Sequence, residues 1–244
     1  MRFLSSSLHC SHVYFSRDQL ALDEAMLMAA ENSGVGEALR IWEFSKRVVI
    51  AGRSTRVCQE IDVDFCRESD VEILRRCSGG ASVVGGPGCM MYSVVLSLKR
   101  NPLLRKIDHA HQYVMSRILV AVQQQVPEVT LCGICDLAWQ EKKFSGNSLR
   151  VYRDYLLYHG TILHDFDLSF LHRCLKFAPR QPEYRQGRKH YDFVTNVPIQ
   201  PESLVDSLRH QFGAEESSDL SEYLPLMRQI RLDRYDQDNW HNRH

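Results

Sequence analysis

The run RRCSGGASVVGGPG, from Arg75 to Gly88, holds five glycines (Gly79, Gly80, Gly85, Gly86 and Gly88), whereas the whole chain of 244 residues has 13. Glycine admits positive φ and a close backbone approach, and successive N–H groups in such turns make a concave cradle for an anion. Arg75 and Arg76 at its entrance add fork-shaped donors suited to phosphate or carboxylate. Two better-known phosphate loops are excluded. The Walker pattern ends in Gly-Lys-Ser/Thr, but here Gly85 and Gly86 lead into Pro87. The dinucleotide fingerprint needs G-x-G-x-x-G between a strand and a helix, and this loop has neither the spacing nor a following helix. A second basic feature is the pair Lys142 and Lys143 ahead of FSGNS. Taken alone, such a pair reads as a solvated turn.

Nucleophiles and metal ligands are sparse. Cysteines at 10, 58, 66, 77, 89, 132, 135 and 174 are scattered along a mid-sized chain and read as cytosolic thiols, not a disulfide framework. Cys132 and Cys135 have C-x-x-C spacing, but with no second pair and no neighbouring histidine pair a tetrahedral zinc site is not expected. Buried strand thiols are the commoner explanation for both, and Cys77 and Cys89 are ordinary small buried residues. No G-x-S-x-G element marks a serine hydrolase.

Lys plus Arg number 30 and Asp plus Glu 30, so no global field favours a nucleic acid, and any anion must be held locally. The N-terminus MRFLSSSLHCSHVYFSRDQ lacks an apolar core and no stretch is long enough to span a bilayer, which places the protein in the cytoplasm. Asp18 to Asn32 reads as an amphipathic helix, ALRIWEF and RVVIAGR as a hairpin, and VEILRR as a third strand. MMYSVVLSL follows the glycine loop as a long strand, so the loop is expected to join two strands of one sheet. Ile107 to Val126 is the clearest helix and covers one sheet face. ICDLAW and RDYLLYHGTIL read as strands flanking a Gly146–Asn147 turn. Helices follow near Ser169 to Lys176, Pro201 to Phe212 and Leu220 to Tyr235, with a polar, mobile loop at Pro179 to His190. The fold class is α+β: a mixed, mainly antiparallel sheet packed by helices, in a single domain over residues 1–244.

RRCSGGASVVGGPGCMMYSVV resembles the RRxSGGGAVxHxxGxLxYS segment of the lipoate-protein ligase A, octanoyltransferase and biotin ligase superfamily. Upstream, DEAMLMAA and LRIWEFSKRVVIAGRS are similar to the family's opening helix and LRxWxxxxxxVVxGR element. Downstream, DLAWQEKKFSGNSLR resembles DLxxxGKKxSGxAxR, and YHGTILHDFDL resembles HGTLLxDxDL. The resemblance covers roughly residues 18 to 170 and implies the class II synthetase-like biotin/lipoate ligase catalytic fold.

It also implies a function: attachment of a lipoyl or octanoyl group to a specific lysine of lipoyl domains, either in 2-oxoacid dehydrogenase E2 subunits or in glycine cleavage H protein. The route implied is lipoyl-AMP made from ATP and lipoate, with Mg2+ accompanying the ATP, octanoate as the other acyl substrate and no tightly bound prosthetic group. Lys143 then points at the acyl carbonyl and the phosphate of the activated intermediate, where an ammonium stabilises growing negative charge. Ser78, Gly79, Gly80, Ala81, Val83, Gly85, Gly88, Ser145, Gly146, His159 and Gly160 line the substrate site, Trp42 walls an apolar channel, and Arg75 and Arg76 hold the anionic part.

The chain departs from the pattern at Ala81, the third glycine of SGGG, and at Gly85, where a histidine is common. Gly86, Pro87 and Gly88 resemble the HGPG element of the octanoyltransferase branch. The alternatives are therefore an ATP-independent octanoyltransferase working through a thioester on Cys132 or Cys135 with acyl carrier protein as donor, or an inactive acyl-binding module. Biotin transfer is disfavoured, because the arginine-rich loop of biotin ligases is not the one present. The family's C-terminal accessory domain is expected to be absent or supplied as a separate partner.

Overall fold

The longest β-prone runs of the sequence become the two central strands of the molecule. In this computed structural model, which describes residues 1–5, 15–177, 179 and 181–243, the main sheet is six-stranded, in the order β10-β11-β6-β2-β1-β12. It comprises β1 (Arg2–Ser5), β2 (Ala38–Trp42), β6 (Cys89–Ser97), β10 (Asn147–Val151), β11 (Tyr155–Leu163) and β12 (Glu216–Ser218). β6 is antiparallel to both β2 and β11, and β1 is parallel to β2 and β12. A three-stranded sheet β4-β3-β5 uses β3 (Val48–Ala51), β4 (Glu72–Arg75) and β5 (Val83–Gly85), and a second, β7-β8-β9, uses β7 (Thr130–Cys132), β8 (Asp136–Trp139) and β9 (Lys142–Ser145). Residues 6–14 of the stretch read above for a leader, Cys10 among them, lie outside the described residues. Among those residues, no helix is long and apolar enough to cross a membrane.

The mixed, mainly antiparallel sheet packed by helices is as expected, but three local readings are corrected. ALRIWEF and RVVIAGR are not a hairpin: β2 belongs to the main sheet and β3 pairs with β4 and β5. Both strands are buried along their whole length, so each needs its own neighbours, and polar Ser45 and Lys46 mark only the corner between sheets. The β3 to β4 connection is parallel and is spanned by the short helices α2 (Val57–Glu60) and α3 (Val63–Glu68). The glycine-rich run does not join strands of one sheet either: it leaves β4, contributes β5 midway and enters β6 of the main sheet. FSGNS is not a turn. Gly146 is the point at which the chain leaves β9 and joins the main sheet as β10, while the reversals fall at Gln140–Glu141, both at positive φ, and before Tyr155.

Helix α1 (Ser16–Ser33) is started by Asp18, whose carboxylate accepts the Phe15 N–H, and ended by Gly34 in the left-handed region at φ 64°. Its face is less simple than an amphipathic reading implies, because Asp18, Asp23, Glu24 and Glu31 are buried along with Leu20, Ala21, Leu22, Ala25 and Met26. Arginines from elsewhere meet those acids: Arg40 at Asp23, Arg150 and Arg234 at Glu24, and Arg231 at Asp18. Helix α4 (Ile107–Gln123) packs on the opposite sheet face, where His111 meets the Tyr158 hydroxyl at 2.8 Å and Met115 lies against Tyr92. Strand alternation therefore sends Tyr158 toward α4 and His159 toward α1. Helices α5 (Leu168–Cys174), α6 (His190–Phe193), α7 (Pro201–Phe212), α8 (Leu224–Ile230) and α9 (Asp238–His241) follow; of the stretch expected to be mobile, Arg180 lies outside the described residues, and residues 184–188 are hydrogen-bonded in place through Arg188 to Tyr184 O and Glu141 O.

Candidate active site

Lys143 lies on β9 directly across from Ala138 of β8, and its ammonium reaches back along that strand to Asp136 Oδ1 at 2.8 Å. The other carboxylate oxygen, Oδ2, accepts the Tyr184 hydroxyl at 2.8 Å. A Cβ on Gly146 would sit 3.3 Å from Lys143 Cε and Nζ, so the glycine leaves the space in which the lysine chain lies. Lys143 is thus held at its tip by Asp136 and along its stem by a bare backbone.

Two adjoining lobes share Lys143, Gly146, Thr161, Ala81, Ser82 and Val83 in their lining. The larger, about 800 Å³, is walled by Val84, Phe144, Leu163, Leu171, Leu175 and Phe193, with Ser145, Glu60, Lys176, Arg185 and His190 as its other polar groups. The smaller has an apolar wall of Leu20, Ile50 and Met91 and carries Asp23, Arg76, Asp136, Asn147, Ser148 and His159 beside Gly80 and Gly160. Gly160 is required where it stands, because a Cβ there would overlap Asn147 Oδ1 at 1.7 Å.

The glycine loop is clamped from within. Arg76 donates to Ser78 Oγ at 3.0 Å, to Ala81 O at 3.0 Å and to Gly79 O, and burial lowers its pKa to about 10. Ser78 bonds His159 Nε2, His159 Nδ1 bonds Asp23 at 3.0 Å, and Arg40 closes the chain on Asp23 at 2.9 Å. Since the carboxylate can only accept, Nδ1 carries a proton toward Asp23, while Nε2 faces the Ser78 hydroxyl, which also accepts from Arg76 Nε. His159 therefore ties the loop to α1 while one face lines the smaller lobe. The carbonyls of Gly79 and Gly80 are taken by Ser148 and Thr55, whereas the N–H groups of Gly79, Gly80 and Ala81 donate to nothing among the described residues. Gly80 and Ala81 are exposed there and Gly79 is half-buried.

Several residues named from the sequence lie elsewhere. Arg75 is fully buried and spends its guanidinium on the carbonyls of Gly52, Thr55, Trp240, His241 and Arg243, so it holds chain, not ligand. Trp42 is 1% exposed, donates to Ser93 at 3.2 Å and stacks on Phe44 and Arg40, which makes it core and not a channel wall. Gly85 faces the Phe44 ring, 2.5 Å from where its Cβ would be, so Phe44 fills the space a side chain there would take. Gly88, at φ 82°, lets the backbone pass against Asp165, whose carbonyl would lie 2.2 Å from a Cβ. Both glycines shape the loop without lining either lobe.

A family model, the lipoyl protein ligase A/B catalytic domain, matches residues 16–212. The chain belongs to this family. Octanoyltransferase LipM of Carboxydothermus hydrogenoformans is 28% identical over 193 residues, covering 72% of this chain and 71% of the relative. Lipoate–protein ligase 1 of Staphylococcus aureus is 24% identical over 160 residues, covering 66% of this chain and 46% of that one. A lipoate-protein ligase A solved with bound ATP superposes with TM-score 0.82 at 20% identity, over 99% of this chain and 98% of the other, and gives the fold the same name as the sequence did.

Within the lipoyl ligase A/B family the relatives are acyl-transferring enzymes of two kinds, and the cysteines bear on which kind this is. Neither Cys132 nor Cys135 lines a lobe. Cys135 donates to Asn147 O at 3.5 Å, and burial, with the Asp136 charge, raises its pKa to about 11. Its sulfur is therefore a thiol, not a thiolate, across the neutral range. Iodoacetamide at pH 7.5 is expected to leave Cys135 unmodified on a timescale that alkylates exposed Cys58, as read by peptide mass spectrometry. Rapid labelling of Cys135 would contradict this.

Asp136, Tyr184, Asp23, Thr161 and Arg185 were missed in the sequence. Asp136 and Asp23 stood inside the quoted elements DLAW and DEAMLMAA, and a carboxylate beside a site lysine is a legible signal. Tyr184 and Arg185 lie outside every motif, and only the fold brings them in.

Proposed function

We propose that the protein attaches a lipoyl or octanoyl group to a specific lysine of a lipoyl domain, in 2-oxoacid dehydrogenase E2 subunits or glycine cleavage H protein, through an acyl-adenylate formed from ATP. The observation that carries this reading is Lys143 at the junction of two lobes, with both candidate nucleophilic cysteines outside them. Structural neighbours support the substrate class: a putative lipoate protein ligase from T. acidophilum with bound lipoic acid has TM-score 0.80, and a bi-partite ligase from that organism was solved with its E2 lipoyl domain. In this reading the acceptor amine attacks the acyl carbonyl, an amide forms, and the anhydride C–O bond breaks to release AMP. Lys143 and the free loop amides meet the oxyanion.

Asp136 in the smaller lobe and Glu60 in the larger are the carboxylates that would hold a Mg2+ ion carried on the nucleotide phosphates, where it would offset their charge. Residues 1–244 act here as one catalytic domain. The LipM relatives favour a second reading, transfer from octanoyl carrier protein without ATP. Mass spectrometry of a lipoyl-domain acceptor separates them. An octanoyl or lipoyl mass shift requiring ATP and free acid is expected; a shift from octanoyl carrier protein alone, with a hydroxylamine-sensitive adduct on Cys132 or Cys135, would establish the second; no shift with any donor leaves an acyl-binding module.

A further inference from the structure

The larger lobe contains a basic group that the scheme above leaves idle. Arg185 is 5% exposed, its Nε donates to Arg188 O at 2.9 Å, and its guanidinium is stacked on the rings of Phe177 and Phe193, 4.8 and 4.9 Å from their centroids. Its Nη2 has no hydrogen-bond partner, and no carboxylate pairs with it among the described residues. A buried guanidinium without a counter-charge is costly, and burial depresses its pKa. The stacking also fixes its plane, so it is held in one place at that cost.

Its neighbours compound the positive character. Lys143, Lys176 and His190 line the same lobe, whose one acidic residue, Glu60, is engaged by the Ser82 N–H at 2.7 Å. Burial and the charges of Arg185 and Lys143 hold His190 neutral, with a pKa lowered to about 4. The lobe is thus a leucine- and phenylalanine-walled space with cationic groups distributed from Lys143 to Arg185. A free fatty acid brings a single anion, its carboxylate, which is the group that becomes the reacting carbonyl at Lys143. Arg185 calls for a second anion on the same donor.

We propose that Arg185 is the phosphate anchor of the acyl donor, its Nη2 holding a phosphate ester borne on an organic arm while the acyl carbonyl rests at Lys143. This rests on the acyl-transfer reading. Two donors share the required chemistry, the 5′-phosphate of an acyl-adenylate and the phosphate of an acyl-phosphopantetheine.

Calorimetric titration with matched probes tests it, comparing AMP with adenosine and 4′-phosphopantetheine with pantetheine. In the wild-type protein at least one phosphate-bearing probe is expected to bind about tenfold or more tightly than its phosphate-free partner, the size of one charge-assisted pair. The AMP arm responding assigns the adenylate; the pantetheine arm responding assigns the carrier thioester. Arg185→Gln should abolish the preference while leaving the phosphate-free probe unchanged, and Arg185→Lys, which keeps the charge but loses the fork, should retain only part of it. Equal affinities within both wild-type pairs, or a preference that survives Arg185→Gln, overturns the proposal. Should Arg185→Gln fail to fold by circular dichroism, full retention of the preference by Arg185→Lys overturns it instead. Binding needs neither acceptor nor turnover, so a protein that binds as expected but transfers nothing counts against the proposed function and not against this anchor.

Discussion

Lys143→Ala is expected to lower kcat for acyl transfer to a lipoyl-domain lysine by roughly 10²–10³-fold, the range for losing one preorganised charge donor to an oxyanion. The loss should appear in kcat more than in KM, because the negative charge it meets grows only on the way to the tetrahedral intermediate. Folding should survive. The lysine tip is partly open and its ion pair with Asp136 is shared with Tyr184, so thermal denaturation should register a change within about 1 kcal/mol. Lys143→Arg should restore little, since a planar, delocalised guanidinium does not reproduce the compact ammonium that Asp136 aims. Asp136→Asn removes the charge that aims Lys143 and is expected to cost about tenfold in kcat, less than loss of the lysine itself. Wild-type turnover in Lys143→Ala would sink the whole assignment.

What the chain disclosed in advance follows from which signals are local. The strands at 89–97 and 155–163 are continuous β-prone runs and each forms where expected, whereas the glycine run, expected to join two strands of one sheet, passes from one sheet into another. Sheet membership is not local. Strands β2 and β3 are five residues apart and both apolar, and nothing in the polar corner between them reveals that one pairs with β6 and the other with β5. The same blindness affects Gly85. As a sequence symbol it looked like a pocket that had lost a histidine, whereas in space the ring of Phe44, distant along the chain, has moved into that volume. Arg185 is the converse: a residue in an unremarkable polar loop becomes a buried, unpaired cation once Phe177 and Phe193 close around it.

Arg75→Lys is expected to destabilise the protein by about 3 kcal/mol or more, because several buried carbonyls lose a donor at once and each orphaned group costs about 1–3 kcal/mol. For a chain of this size that is a fall in Tm of roughly 6–12 °C. The two residues of the RR pair look alike in sequence, yet they serve different structures. Arg76 grips the loop from inside the smaller lobe, whereas Arg75 pins the segment Trp240 to Arg243 against the loop's base, with Trp240 Nε1 returning a bond to Arg75 O at 2.9 Å. Were Arg75 an anion ligand, the lysine variant would raise KM for the donor and leave Tm alone; the opposite pattern is expected, with hydrogen exchange accelerated over residues 238–243. The latch is also acid-sensitive. The Arg75 N–H donates to His241 Nδ1 at 3.0 Å, and His241 Nε2 lies 2.7 Å from Tyr235 O, which fixes a neutral ring as donor there. Burial lowers the His241 pKa, so its contribution to stability is complete above the unfolded value of about 6.5 and declines as the pH falls below it toward the folded value. Protonation at Nδ1 would set two donors against each other. Wild-type Tm should therefore fall as the pH drops below about 6.5, and His241→Gln, which cannot titrate, should flatten that slope; an unchanged slope in the variant would place the acid sensitivity elsewhere.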